Sequence, residues 1–231
     1  MSLSKISINN FRCFENVDLL LSPGINFFFG QNGSGKTSIL ESVFIFSSGK
    51  SFKSSNIASL INYEHKKFFL KGYDNIKGYI VEIEKKENKP ISVTLNNKKI
   101  TASRLTKEFP CTPIHNNTFS FADAPPDFRR KLLDRSIFIS EEGFSECWFS
   151  YYRSLKQRNS LLKNNRISDI YTWNVKLSDG GNKLNNMRRN FFNKTIEEFN
   201  YLIDLVKPNA VFDFLDVIEI KFFQGWQDDK S

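Results

Sequence analysis

Gly30-Gln31-Asn32-Gly33-Ser34-Gly35-Lys36-Thr37 is the stretch on which the reading of this chain turns. It satisfies G-x-x-x-x-G-K-[ST], a pattern expected by chance in about one per cent of chains this long at ordinary glycine usage. Each residue type has a chemical reason. The glycines let successive backbone N–H groups turn inward around phosphate oxygens, and a following helix adds its positive N-terminal end. Lys36 then reaches the terminal phosphates, and the Thr37 hydroxyl is offered to Mg²⁺. The candidate nucleotide-binding residues are these eight together with Ser38.

The flanks supply the context the motif requires. Ile25-Asn26-Phe27-Phe28-Phe29 predicts a short buried central strand ending at glycine, and Ile39, Val43 and Phe46 predict a helix over 36–47 stopped by Gly49. Upstream, Ile6 and Ile8, then Val17, Leu19 and Leu20, with Pro23-Gly24 as a turn, predict a hairpin. Downstream, apolar runs from Phe68 to Leu95 broken by Gly72, Gly78, Pro90 and Asn96-Asn97 predict three or four antiparallel strands.

From Arg129 the period becomes helical, with Phe149, Tyr152, Leu155 and Leu162 on one face. Leu184, Met187, Phe191, Ile196, Phe199, Leu202 and Ile203 continue it after a break near Ser178 to Asn182. Pro208 ends that run, and Val211, Phe212 and Phe214, then Ile218, Ile220 and Phe222, begin strand-like patterns. The expected organisation is an α/β lobe with an antiparallel β subdomain over 1–125, a helical arm over 126–208, and the start of returning strands over 209–231.

Composition bounds the function. The chain has 231 residues, 40% hydrophobic and 15% aromatic, which can bury a core and excludes disorder throughout. Thirty-three Lys and Arg against 25 Asp and Glu leave +8, pointing to polyanionic partners. Heavy use of Phe, Asn, Lys and Ile is equally the mark of a mutational bias, so charge alone does not decide. Cys13, Cys111 and Cys147 form no CxxC pair, which argues against a disulfide framework or zinc site and fits a reducing cytosol. Met1 to Phe11 lacks a signal-peptide core, and no apolar run nears the ~20 residues of a membrane span, so a soluble cytoplasmic protein without membrane partners is expected. None of the Asn-Lys pairs has an aspartate two places on, which argues against guanine recognition. His65 and His115 lack Ser or Cys partners and receive no catalytic role.

The glycine loop, preceded by Asn10-Phe11-Arg12, resembles the ATP-binding heads of SMC and ABC proteins. Gly49-Lys50-Ser51-Phe52-Lys53, Pro126 with Arg129-Arg130 and Leu133-Asp134, Leu155-Lys156-Gln157-Arg158-Asn159, and Trp173 are in turn similar to ordered elements of the RecF family of bacterial recombination mediators. That resemblance implies an α/β P-loop NTPase head of the ABC/SMC type with a helical arm, ATP and Mg²⁺ as cofactors, and an ATP-dependent homodimer. It further implies a role in DNA replication, recombinational repair and the SOS response. The partners implied are single-stranded or gapped duplex DNA, a RecR-type mediator and a recombinase. Arg12 is implied to approach the nucleotide phosphates; a surface arginine at a hairpin is the alternative.

For DNA contact the implied residues are Arg129, Arg130, Lys156 and Arg158, in a stretch where Arg129 to Arg166 holds nine basic against four acidic residues. A solvated helix face is the alternative, and Arg129-Arg130 have another, pairing with Asp134 or neighbouring acids.

Several features depart from the family. Its signature sequence, Walker B carboxylate and D-loop lie in the last third of the protein, beyond the counterpart of Ser231, so this chain looks truncated and its ATP hydrolysis stays open. The alternative reading is a remnant that binds nucleotide or DNA without hydrolysing ATP. Leu177-Ser178-Asp179-Gly180-Gly181 and Tyr201-Leu202-Ile203-Asp204 mimic the missing parts, but Leu205 follows Asp204 and the period there is helical. His115-Asn116-Asn117 stands where the family has Thr-Pro-Glu, Ala124-Pro125 replaces Gly-Gly, and Lys50 and Lys53 replace arginines. Glu41, one turn after Thr37, reads as solvated helix surface.

Overall fold

Ile6, Ile8 and Phe11 of β1 (Lys5–Phe11) carry no exposed surface, and they set the face on which the first core is built. Asn10, at φ 53, breaks the alternation and turns Phe11 onto the buried side. The computed structural model describes residues 3–114, 124–165, 170–207 and 218–224. They divide between two units, 1–120 and 121–231.

In the first unit β1 pairs with β2 (Phe14–Leu20) through the two-residue turn Arg12-Cys13. A meander follows: β3 (Lys67–Asp74), β4 (Tyr79–Lys86), β5 (Ser92–Leu95) and β6 (Lys98–Lys99). The order β2-β1-β3-β4-β5-β6 is antiparallel at every rung, with Ile8 opposite Leu70 and Leu70 opposite Ile83. The expected hairpin and the expected strands over 67–100 are thus one sheet. Asn96 and Asn97, both at positive φ, make the tight turn between β5 and β6 that a two-residue hairpin needs.

One face of this sheet is dry and the other wet, the usual division for antiparallel sheets. Phe68, Leu70, Val81, Ile83, Val93 and Leu95 join the β1 residues beneath α1 (Lys36–Ser48) and α2 (Ala102–Glu108), which contribute Ile45, Phe46 and Leu105. Gly72 of β3 lies under Phe46, where a side chain would not fit: a Cβ would stand 3.1 Å from Phe46 Cε1 and 2.9 Å from Leu3 Cδ2. The wet face carries cross-strand pairs, Lys71 with Glu82 at 2.9 Å and Lys5 with Asp18 at 2.8 Å. Hydrogen bonding from Lys5 holds the Asp18 carboxyl below its usual range.

Ile25–Phe29 does not form the buried strand its composition predicts. The run is irregular, with Ile25, Phe27 and Phe29 at 79%, 84% and 94% exposure. An apolar run becomes a strand only against a hydrogen-bonding neighbour. β1 already has both its neighbours, β2 and β3, and no described strand pairs with the run.

The second unit is helical: α3 (Pro126–Ser140), α4 (Phe144–Lys163) and α5 (Ile170–Val206). Ile137, Phe144 and Leu184 form its buried centre with Cys147, Trp148 and Tyr151 against them. The inward row of α4 is therefore Phe144, Cys147, Trp148 and Tyr151; Phe149, Tyr152 and Leu162, expected to share a packed face with Leu155, are exposed. The break expected near Ser178 to Asn182 is absent, and α5 runs through Gly180-Gly181. Those glycines let α4 approach: a Cβ on Gly180 would already touch Tyr151 Cα at 3.6 Å. Helix contacts here outweigh a glycine cost of about 1 kcal/mol each. Leu177 to Gly181 and Tyr201 to Asp204 both lie inside α5, so neither is a signature loop or a Walker B strand.

Ile218, Ile220 and Phe222 show no strand; Phe222 instead meets the Phe192 ring at 5.5 Å. His115 to Asn117, and Val211 to Phe214 with their expected strand pattern, lie outside the described residues. Among the described residues no helix is long and apolar enough to cross a membrane.

Candidate nucleotide site

The glycine loop leads directly into α1. Gly30, Gly33 and Gly35 have φ of 148, 85 and 90, backbone states open to glycine and strained for other residues. A Cβ on Gly30 would meet Ser34 Oγ at 3.1 Å, and one on Gly35 would press on Phe14 and Cys13. Gly35 caps α1, whose first turn carries no acidic side chain. The first N–H groups of a helix lack partners within it, so this end presents donors and a positive dipole to an anion. Lys36 donates to the Gly30 carbonyl at 2.8 Å and to the Gln31 carbonyl at 2.7 Å, folded back over its own loop.

Arg12, Asn32, Gly33, Ser34, Gly35, Lys36, Thr37 and Ser38 line one cleft of 570 Å³. The structure thus brings Asn32 to Ser38 and Arg12 to one cleft, while Gly30 and Gln31 are not part of its lining. Arg12 is the first residue of the β1–β2 turn, and its side chain lines the same cleft as the loop. Cys13, Lys53, Ser59, Ile61 and Tyr63 complete the lining. A hydrogen bond with Glu64 raises the Tyr63 phenol above its ordinary range.

Glu41 overturns its expected place on solvated surface. It is 1% exposed, and its carboxylate accepts from Arg12 Nε at 2.9 Å and Arg12 Nη2 at 3.0 Å. Ser51 donates to the same carboxylate, and its hydroxyl accepts from the backbone of Lys53 at 2.9 Å and Ser54 at 2.8 Å. Helix phase carried the missing signal, because Glu41 shares the buried face of Phe44, Ile45 and Ser48.

The donor set fits a phosphate chain: glycine-opened backbone, a helix N-terminus, the ammonium groups of Lys36 and Lys53 and the guanidinium of Arg12. It also fits Mg²⁺, which keeps most of its waters and takes few protein ligands beside substrate phosphates; the exposed Thr37 hydroxyl is the group to hold it. No cluster of three His, Cys, Asp or Glu stands among the described residues.

The residues proposed for DNA lie on two helices. Arg129 and Arg130 are exposed near the start of α3, where Arg130 pairs with Asp127 at 3.0 Å. Asp134 is not their partner. It is held by Arg188 at 2.7 and 2.8 Å and by Trp148 Nε1 at 3.2 Å. Lys156 is exposed on α4, and Arg158 Nε donates to Asn174 at 2.7 Å. A groove of 770 Å³ in this unit adds Arg153, Lys176 and Lys183 beside Trp173, with Lys176 Nζ 5.0 Å from the indole centroid.

Residues 2–191 match the family described as the RecF/RecN/SMC N terminal domain. The chain is 31% identical over 231 residues to the DNA replication and repair protein RecF of Aliivibrio fischeri strain MJ11, covering 98% of this chain and 63% of the relative. To the same-named protein of Glaesserella parasuis serovar 5 it is 34% identical over 239 residues, covering 100% and 63%. The chain therefore spans less than two thirds of these relatives. Among solved structures, the recombination mediator protein RecF-ATPrS of the RecFOR pathway superposes with a TM-score of 0.71 at 24% identity, over 84% of this chain and 54% of that one. The RecF-ATP form gives 0.70 at 24%, over 83% and 54%. At that identity the likeness speaks for the fold.

Proposed function

This chain belongs to the RecF/RecN/SMC N-terminal domain family and is of the RecF type within it, and we propose on that basis that it is an ATP-binding protein of DNA repair and recombination. ATP with Mg²⁺ occupies the cleft from Gly30 to Ser38, with Lys36 on the terminal phosphates, Thr37 on the metal and Arg12 alongside. The observation that carries this reading is the glycine cradle at the head of an acid-free helix turn, with Lys36 and Arg12 in one cleft.

The finer reading is that ATP fastens two copies together on single-stranded or gapped duplex DNA, in the cytoplasm, where the complex helps a RecR-type mediator load a recombinase. The names printed for its relatives and the exposed cations of α3 and α4 support it. Such cations contact phosphate through charge rather than base sequence.

A second reading, nucleotide or DNA binding without hydrolysis, draws on the cleft lining. Among the described residues no Asp or Glu lines it. A general base to accept the proton of an attacking water is thus not among those groups.

Titration of the 231-residue chain with ATP and Mg²⁺ tests the core claim. Lys36→Ala removes charge-assisted hydrogen bonds of about 1.5–3 kcal/mol and is expected to weaken affinity at least about tenfold. Unchanged affinity would end the nucleotide reading. Phosphate release abolished by Lys36→Ala would exclude the non-hydrolysing alternative. For DNA, the logarithm of affinity should fall steeply with the logarithm of salt; a flat line would return those cations to solvated surface.

A further inference from the structure

Arg12 occupies a turn position at φ 54, a left-handed conformation that L side chains rarely adopt. Its backbone N–H is tied to the Leu60 carbonyl at 2.8 Å. Its guanidinium lies against a carboxylate almost wholly removed from solvent, since the Glu41 side chain is 1% exposed and that of Arg12 30%. A buried carboxylate with no place in the lining of the cleft calls for a role.

We propose that Glu41 is a positioning residue of the nucleotide site, which docks one edge of Arg12 so that the opposite edge is held ready for phosphate. This rests on the nucleotide reading above. Guanidinium carries five N–H donors in a rigid fork. Glu41 engages one on Nε and one on Nη2, leaving Nη1 and the second Nη2 donor to the cleft that Arg12 lines beside Gly35, Lys36 and Thr37. An arginine free to rotate loses side-chain entropy on binding, whereas one already docked has lost it beforehand, so affinity rises.

The same carboxylate reaches a second element. Ser51 bonds to Glu41 and gathers the amides of Lys53 and Ser54, and Lys53 is another cation of the lining. One buried anion on the loop-bearing helix therefore organises cations that arrive from the β1–β2 turn and from the segment after α1.

Neutralising a carboxylate beside a cation would also leave that cation's charge unopposed, which by itself favours phosphate. The two effects have opposite sign, and positioning is the one predicted to win. ATP titrations of the full chain with Mg²⁺, for Glu41→Gln, Arg12→Gln and the double variant, read the outcome. Each single variant is expected to weaken affinity about tenfold, and the double variant by well under about a hundredfold, because Glu41 acts chiefly through Arg12, with the Ser51–Lys53 route supplying the remainder. Losses that multiply, or an affinity that is unchanged or tighter in Glu41→Gln, overturn the proposal. If circular dichroism shows Glu41→Gln unfolded, Glu41→Asp, which keeps the charge and shortens the reach, replaces it in the same cycle with the same criterion. Lys36→Ala run alongside separates the failures: if it binds like the parent, the nucleotide site itself falls; if only the Glu41 cycle fails, the site stands and the positioning role does not.

Discussion

Phe14 closes over the α-carbon of Gly35: a methyl group placed there would stand 2.9 Å from ring carbon Cε1, and 3.0 Å from Cys13 Sγ. Gly33 has a similar φ, 85 against 90, with nothing within 4 Å of its would-be Cβ. The two glycines therefore separate strain from crowding. Gly33→Ala is expected to cost about 1–2 kcal/mol from its positive φ. Gly35→Ala adds displacement of Phe14 to that cost and should be the more destabilised in urea titrations, with the larger loss of ATP affinity.

Gly72→Ala tests how closely α1 sits on the sheet. Its φ is ordinary, so the cost arises from overpacking against Leu3 and Phe46, typically about 1–3 kcal/mol. The companion change Phe46→Leu relieves the crowding, and the double variant is expected to recover part of the lost unfolding midpoint.

Asp134 and Arg188 have side chains only 13% and 12% exposed. Burial works against the Arg188 charge, but hydrogen bonding and charge from Asp134, with Tyr152 and Tyr151, outweigh it and raise its pKa. Asp134→Asn strands that cation and takes a charged acceptor from Trp148, so a loss of about 3 kcal/mol is expected in chemical denaturation. Asp134→Leu with Arg188→Met should cost less than the single change, since replacing both partners of a buried pair is often close to neutral.

Burial raises the Cys147 thiol pKa, an effect that the charges of Lys183 and Arg188 only partly offset. At pH 8 it should react with a disulfide reagent more slowly than exposed Cys13, and mass mapping of labelled peptides would show the order. Linkage gives the sign for stability. Because the folded state holds the thiol proton more tightly, this contribution is complete below the ordinary thiol pKa and fades as pH climbs through the folded value. Cys147→Ser should flatten that alkaline decline.

The run Ile25–Phe29 offers three large apolar side chains to water, and Leu20 at the edge of the sheet is 85% exposed. Unpaired, apolar, β-prone segments of this kind drive association. Phe27→Ser with Phe29→Lys is expected to raise the concentration at which the chain stays monomeric in sedimentation velocity while leaving its circular dichroism unchanged.

Much of this was legible in the residues. The hairpin and meander announced themselves through period-two apolar patterns separated by turn formers, and the glycine loop and its helix through the spacing from Gly30 to Thr37 and the helical period after it. The failures have a common physical origin, since periodicity names an element but not its neighbour. Ile25–Phe29 has strand composition, yet pairing requires a partner that composition cannot supply. Two apolar rows run along α4, and packing against α5 selects the one containing Trp148 and Tyr151. Gly180-Gly181 reads as a helix stop by propensity, whereas Tyr151 makes it a contact surface. Glu41 reads as water-facing because carboxylates seldom lie fully buried unless paired, and its partner arrives from 29 positions away.

Every pairing but one among the described strands joins neighbours along the chain, and the exception is β1 with β3. Between those strands lie β2, the glycine loop and α1. Docking β3 on β1, next to the bridge of Phe11 with Ile61, is thus the long-range closure among the described strands, and it encircles the glycine loop. The entropy of ring closure grows only slowly with the size of the ring, so the segment inside tolerates length, while folding must await that one encounter. The proposed nucleotide, bound within the ring, would stabilise the closed form over the open chain and so fasten the sheet as well as occupy it.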